Sequence, residues 1–339
     1  MLRSWWTGAA KLIAGAFNAT MNGLTSSMPA AAAADRNVDM LIGGQAVLEG
    51  VMMRSLTGYS VAVRQPNGGV AIKKDKLVSI AKKYPFLKLP VLRGSVVLIQ
   101  SLILGIRALE YSASVSSENE AGETEMSGWA IAGSMLMALA LAVGVFILLP
   151  LGITNAIRHW LAPAMGNLTY NVIDGVLRAL FFFVYILSIS YMKEIRRVFQ
   201  YHGAEHKTVY TFEANEDLTV ENARTKSTLH PRCGTSFLLF VMAISILVFS
   251  LVPSTMPFAV KFAARVVLIP LIAGLAYEVI RFSARHLANP VCRALTRPGM
   301  WLQKITTKEP DDSQLEVAIV ALREALAYDV IVPEQAAVA

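Results

Sequence analysis

The run Gly128-Trp-Ala-Ile-Ala-Gly-Ser-Met-Leu-Met-Ala-Leu-Ala-Leu-Ala-Val-Gly-Val-Phe-Ile-Leu-Leu-Pro-Leu-Gly-Ile-Thr-Asn155 carries no charged side chain. A helix needs about 20 predominantly apolar residues to cross the hydrocarbon core of a bilayer, and this stretch exceeds that length. Three further runs are predominantly apolar and about as long as a crossing needs, over residues 172–195, 235–252 and 258–282, the first and last with a few charged residues. The whole chain agrees with them, since 55% of its residues are hydrophobic and 16% charged, against a charged share of about a quarter in soluble domains. The sequence therefore predicts an α-helical integral membrane protein with four transmembrane helices.

A fifth apolar run, 91–109, contains Arg93, Gln100 and Arg107, and the distribution of basic residues decides its fate. Lysines 73, 74, 76, 82, 83 and 88 precede it, a second basic group including Lys193, Arg197, Lys207 and Arg224 lies between the second and third spans, and Arg281, Arg285 and Arg293 follow the fourth. Lys and Arg favour the cytoplasmic side of a membrane. Four crossings place all three groups there; a fifth would export one of them. Residues 91–109 are accordingly expected to form a re-entrant or interfacial helix. Lys261 and Arg265 then fall at the outer end of the last span, where they reach the interface by snorkelling.

The polar parts have their own patterns. Residues 1–37 read as a disordered or interfacial tail, because cleavage of a signal peptide there would export the lysine-rich region behind it. Residues 38–88 form a small cytoplasmic β module of short pieces, 46–53, 59–65 and 70–73, with Pro66-Asn-Gly-Gly69 as a hairpin signal. Residues 89–127 hold the re-entrant or amphipathic helix and an acidic loop, 128–282 the four-helix membrane domain with a cytoplasmic loop at 196–234, and 283–339 a cytoplasmic tail. In that tail Asp311 and Gln314 spell a capping box ahead of an amphipathic helix bearing Leu315, Ile319, Leu322 and Leu326 on one face. The basic residues are not interleaved with aromatics, which argues against nucleic acid as a partner. No internal repeat or broken-helix pair supports a transporter.

The chain has five histidines and two cysteines, and His202, His206, His230 and Cys233 all fall in the one polar loop. On a helix His202 and His206 share a face with Glu205 beside them. Two imidazoles, a further His or Cys and a carboxylate suit a divalent metal, zinc above all. His202, Glu205 and His206 also have the order of the inverted zinc metallopeptidases, in which the internal glutamate polarises the attacking water. In that scheme His202 and His206 bind the metal, Glu205 is the general base and Arg232 stabilises an anion. If His230 and Cys233 both bind as well, the shell closes and the site is structural, because catalytic zinc keeps an open position. His230 is the favoured third ligand, and Cys233 its neighbour. Two other uses of these residues are a thiolate nucleophile at Cys233 beside Arg232 and plain hydrogen bonding of the histidines to loops or headgroups. Elsewhere, Asp174 with Arg178 and Glu278 with Arg93 or Arg281 are expected to form ion pairs.

Gly43-Gly-Gln-Ala-Val-Leu-Glu49-Gly-Val-Met-Met-Arg54, Pro90-Val-Leu-Arg93-Gly94, Tyr201-His-Gly-Ala-Glu-His-Lys207, Leu229-His-Pro-Arg-Cys-Gly-Thr-Ser236 and Trp301-Leu-Gln-Lys-Ile-Thr-Thr-Lys-Glu-Pro-Asp311 together resemble the bacterial YqhQ-like membrane proteins. The resemblance implies a multi-pass protein of the bacterial cytoplasmic (inner) membrane, and the family has carried the label of a predicted metal-dependent enzyme. The expectation is a metal-dependent hydrolase acting at the cytoplasmic face on a lipid, lipid-linked or membrane-peptide substrate. The alternative is a non-enzymatic scaffold or lipid-handling protein in which a structural metal or polar cluster ties the loop down.

Overall fold

The computed structural model describes residues 42–336 apart from 56, 78–83, 118–127, 232 and 287. The tail predicted over 1–37 and most of the acidic loop lie outside the described residues. Four strands, β1 (Gly43–Val47), β2 (Gly50–Arg54), β3 (Gly58–Arg64) and β4 (Val70–Lys76), make an antiparallel meander in sequence order. Pro66-Asn-Gly-Gly69 turns β3 into β4 as its composition predicts, with Gly68 at φ 88. The piece expected over 46–53 is corrected: it is two strands joined at Leu48-Glu49, with Val47 paired to Gly50. Glu49 takes the left-handed conformation at φ 50, and its carbonyl accepts the Arg64 N–H at 2.7 Å. Nothing in Leu-Glu advertises a turn, and tertiary bonds hold it.

Alternation along the strands buries both faces of this sheet. Val51, Met53 and Ala62 point to one side and Val47, Met52, Val61 and Val63 to the other. The second face is covered by Leu104, Ala108 and Val115 of α1 (Leu92–Ser117). The first receives two helices far away in sequence, α5 (Lys193–Glu213) and α10 (Asp312–Ala336), through Tyr201, Ala204, Leu315, Ile319 and Leu322. The β module is therefore larger than residues 38–88, since neither face of the meander is closed without helices from the loop and the tail. The predicted capping box starts α10, with Asp311 Oδ1 accepting from Gln314 N at 2.9 Å and Gln314 Oε1 from Asp311 N at 3.0 Å. Asp311→Ala should cost about 1 kcal/mol, read as a lowered unfolding midpoint; an unchanged midpoint would remove the cap from the account.

The remaining helices form an antiparallel bundle. An unbroken helical rod runs through α2 (Gly128–Val143), a π-helical turn (Gly144–Leu148) and α3 (Leu149–Trp160). It is followed by α4 (Asn167–Ser190), then, after α5 and the short α6 (Val220–Arg224), by α7 (Thr235–Ser250), α8 (Phe258–Arg285) and α9 (Pro290–Thr306). Asn167 ties the two turns at one end together: its Nδ2 donates to Ser250 O at 2.5 Å and its Oδ1 accepts from Ser254 N at 2.6 Å.

Among the described residues four helices are long and apolar enough to cross a membrane: residues 92–116, 136–160, 167–190 and 258–283. That set differs from the one read from the sequence. Helix α7 has 16 residues, about 24 Å at 1.5 Å per residue, short of a full hydrocarbon core. Helix α1 has 26 and runs unbroken past the boundary expected at 109. Its first half packs on α8, where Gly94 and Gly274 let the backbones meet and Arg93 pairs with Glu278, Nε to Oε1 at 2.6 Å. Its second half is taken up by the sheet. Leu92, Ile99, Leu102, Ile106 and Leu109 remain exposed along one stripe.

Candidate metal centre

Helix α5 leaves the bundle two residues after α4 ends and brings Tyr201-His-Gly-Ala-Glu-His-Lys207 between the sheet and the strap 306–311. Gly203 is required by that contact: a Cβ there would lie 2.1 Å from Lys308 O. The strap is bound by Lys308 N donating to Phe199 O at 2.9 Å and by the Lys207–Glu309 ion pair at 2.5 Å. Glu205 faces the other way, onto β1, where its Oε1 accepts the Gly44 N–H at 2.9 Å. Any side chain at Gly44 would meet Met52 O at 2.5 Å and Glu205 Cγ at 2.9 Å.

Both histidines are oriented by main-chain carbonyls. His202 Nδ1 lies 2.8 Å from Thr306 O and His206 Nδ1 2.5 Å from Thr228 O. A carbonyl only accepts, so each Nδ1 carries a proton and leaves Nε2 as the nitrogen that could ligate, the usual arrangement of metal-binding histidines. His206 Nε2 is buried and has no hydrogen-bond partner among the described residues, a costly state for a polar atom unless something else satisfies it. Cys233 Sγ lies 3.3 Å from His202 Nε2. The thiol is itself approached by Thr235 N–H at 3.4 Å, a donor suited to a thiolate. His202, His206 and Cys233 together offer three ligand atoms within 4.8 Å of one another. Glu205 Oε2 stands 3.9 Å from His202 Nε2 and 4.0 Å from His206 Nε2. Those separations are too long for hydrogen bonds. Imidazole, cysteine sulfur and carboxylate are the side-chain groups that zinc takes as ligands.

His230 is the exception among the expected ligands. Its ring lies 5.7 Å from that of His206 and meets the Tyr210 ring edge-on at 4.5 Å, with Nε2 directed to Glu213 Oε2 at 3.3 Å. Among the described residues the group that could hold an ion is His202, His206 and Cys233, with His230 set apart from it. The cause is Gln303, fully buried, whose Oε1 accepts from His230 N at 2.7 Å and whose Nε2 donates to His230 O at 2.9 Å. This clamp fixes the backbone of the His-Pro-Arg-Cys turn so that the thiol, three residues on, swings to the histidines. Arg232, expected as the anion stabiliser, lies outside the described residues. The two cysteines, Cys233 and Cys292, are both free.

Sequence reasoning missed the supports around the cluster. Gln303 sits in a helix where nothing marks it, and the Thr306 and Thr228 carbonyls have no sequence signal. Glu49 accepts a fork of bonds from Arg197 and lies 3.4 Å from the Tyr201 hydroxyl. Burial, with the Glu49 carboxylate nearby, holds the Tyr201 phenol above its ordinary range. Gln303→Leu should leave α9 packed but release the His230 turn, lowering zinc affinity about 10-fold; unchanged affinity would mean the turn is set by other contacts.

The sequence model of the family described as "Protein of unknown function (DUF1385)" matches residues 89–328. The chain is 35% identical over 309 residues to the "Uncharacterized protein YqhQ" of Bacillus subtilis (strain 168), an alignment covering 85% of this chain and 93% of that protein. No solved structure matches it.

Proposed function

From the premise that the chain belongs to the DUF1385, or YqhQ-like, family, we propose that it is a metal-dependent hydrolase of the bacterial inner membrane, acting at the cytoplasmic face on a lipid, lipid-linked or membrane-peptide substrate. His202, His206 and Cys233 hold a divalent metal, with zinc the best match, and Glu205 is the general base. The observation that carries the reading is the buried Nε2 of His206, which has no hydrogen-bond partner among the described residues while its Nδ1 is tied to Thr228. Three protein ligands leave a fourth position for water, which bound zinc acidifies. Glu205 Oε2, about 4 Å from both imidazoles, is within reach of such a water, and the Gly44 N–H on its other oxygen keeps the carboxylate in place. The substrate class follows from position: α5 begins two residues beyond α4 and Cys233 directly precedes α7, so the cluster lies at the end of the bundle.

The proposed topology has four crossings, by α2–α3, α4, α7 and α8, with both termini cytoplasmic and α1 re-entrant or lying in the interface; the short α7 crosses where the bilayer thins to match it. The sheet packed on the second half of α1 supports this, because a helix half covered by a soluble module is not available to span. Cysteines introduced at Lys74 and Asn215 should react only with reagent supplied from the cytoplasm. Labelling of either from outside would exclude the topology.

A structural site is the second reading, favoured by Cys233 taking the place expected of His230 and by Glu205 standing close enough to close the shell. Cobalt substitution separates the two. An open site should change its visible spectrum when azide or cyanide is added, and Glu205→Gln should keep its metal. A spectrum indifferent to added anions, together with metal loss in Glu205→Gln, would establish the closed, structural form.

A further inference from the structure

The bundle segments 128–192 and 235–277 contain one carboxylate, Asp174, and four side-chain cations, Arg158, Arg178, Lys261 and Arg265. All five converge at the turn end, the end away from the His–Cys cluster. Arg178 Nε and Arg265 Nη2 donate to the same oxygen, Asp174 Oδ2, at 3.0 and 2.9 Å, and both guanidiniums lie over the Phe249 ring, at 5.1 and 5.2 Å. Lys261 Nζ matches its three protons to Asn155 Oδ1 at 2.6 Å, Tyr170 OH at 2.9 Å and Ser254 O at 3.4 Å. Arg158 donates to the same Ser254 carbonyl. Lys261 is 2% exposed, Arg265 and Asp174 1%. The two turns, 161–166 and 251–257, contain no Asp or Glu.

Three positive charges are therefore left over, in a place where buried charge is tolerated only when paired. The one other carboxylate of the bundle helices, Glu278, is at the opposite end of α8 and is paired with Arg93. Arg265 Nε and Arg178 Nη2 are buried and have no hydrogen-bond partner among the described residues, so two donors remain for an incoming acceptor; Asp174 Oδ1 is also without a partner but is itself an acceptor. The cluster reaches the surface through half-buried Arg158 and through Arg178, whose side chain is 14% exposed. Trp160 and Leu161, each 78% exposed, flank that edge; an exposed Trp at a helix end is the mark of headgroup depth.

We propose that the turn end of the bundle binds a phosphate group, with Arg158 and Arg178 as its contacts and Lys261 and Arg265 as buried charge behind them. Guanidinium forks match phosphate oxygens in geometry and charge. With the bundle crossing the membrane as proposed above, the phosphate comes from an anionic phospholipid of the leaflet opposite the metal centre. This accounts for four cations at the end of a bundle where the positive-inside rule disfavours them.

The test uses the full chain in a neutral detergent, with phosphatidylglycerol, phosphatidylcholine or inorganic phosphate added and binding read by native mass spectrometry and by the unfolding midpoint. Phosphatidylglycerol should bind and raise the midpoint more than phosphatidylcholine does, and Arg158→Gln should lower its affinity about 10-fold or more. Zinc content should be unchanged in that variant, which separates this site from the metal centre. Inorganic phosphate giving the same stabilisation as the lipid would assign the site to the free ion. Equal affinity in the wild type, Arg158→Gln and Arg178→Gln would overturn the proposal, as would a wild type stabilised no more by phosphatidylglycerol than by phosphatidylcholine.

Discussion

Cys233→Ser is expected to lower zinc affinity about 100-fold or more, while His230→Ala keeps most of the metal. Soft thiolate is replaced by a hydroxyl that stays protonated, so one ligand of the proposed three is lost. His230 is directed to Glu213 at 3.3 Å instead, so its loss removes a neighbour of the cluster and not a ligand. Cys233 Sγ by contrast lies 3.3 Å from His202 Nε2. Zinc titration against a chromophoric chelator measures both variants. Full retention in Cys233→Ser together with loss in His230→Ala would return the ligand role to His230.

The second large effect is expected at Gly203. Its Cβ position lies 2.1 Å from a main-chain oxygen, Lys308 O, and 3.3 Å from Thr228 Cγ2. Neither the helix nor the strap can yield cheaply, since Lys308 N is itself bound to Phe199 O. Gly203→Val should therefore push the 306–311 strap off α5, at a cost of about 2–3 kcal/mol or more. Thr306 O orients His202 and Thr228 O orients His206, so zinc affinity should fall with stability. A Gly203→Val protein with a wild-type unfolding midpoint and wild-type metal affinity would show that the strap does not position the site. Gly43, where an added Cβ meets nothing within 4 Å, supplies the control: Gly43→Ala should be nearly neutral.

What the sequence discloses, and what it conceals, follows from where each determinant lies. Local determinants are readable. Uninterrupted apolar runs mark the bundle helices, Pro-Asn-Gly-Gly marks the β3–β4 turn, and Asp311 with Gln314 marks the start of α10. The pairs Asp174–Arg178 and Arg93–Glu278 follow from isolated charges inside apolar runs. Determinants distant in sequence are not readable. The turn at Leu48-Glu49 exists because β2 pairs with both β1 and β3, and Arg197, 148 residues away, binds Glu49. The choice between His230 and Cys233 is made by Gln303, 73 residues further on. The convergence of Arg265 with Asp174, 91 residues apart, depends on how α8 packs against α4. The true end of α1 is hidden because Glu110-Tyr-Ser-Ala-Ser-Val-Ser-Ser117 is too polar to read as part of an apolar run, whereas the sheet covers that part of the helix through Val115.

The most direct test of the central claim is the metal content of the full chain, purified in detergent without chelators, beside the His202→Ala, His206→Ala double variant. The account predicts one equivalent of zinc per chain in the wild type after supplementation with the ion, retained at neutral pH and lost on acidification as protons compete for the imidazoles, and none in the double variant. A wild type that binds no divalent metal, or a double variant that binds as much as the wild type, would contradict it.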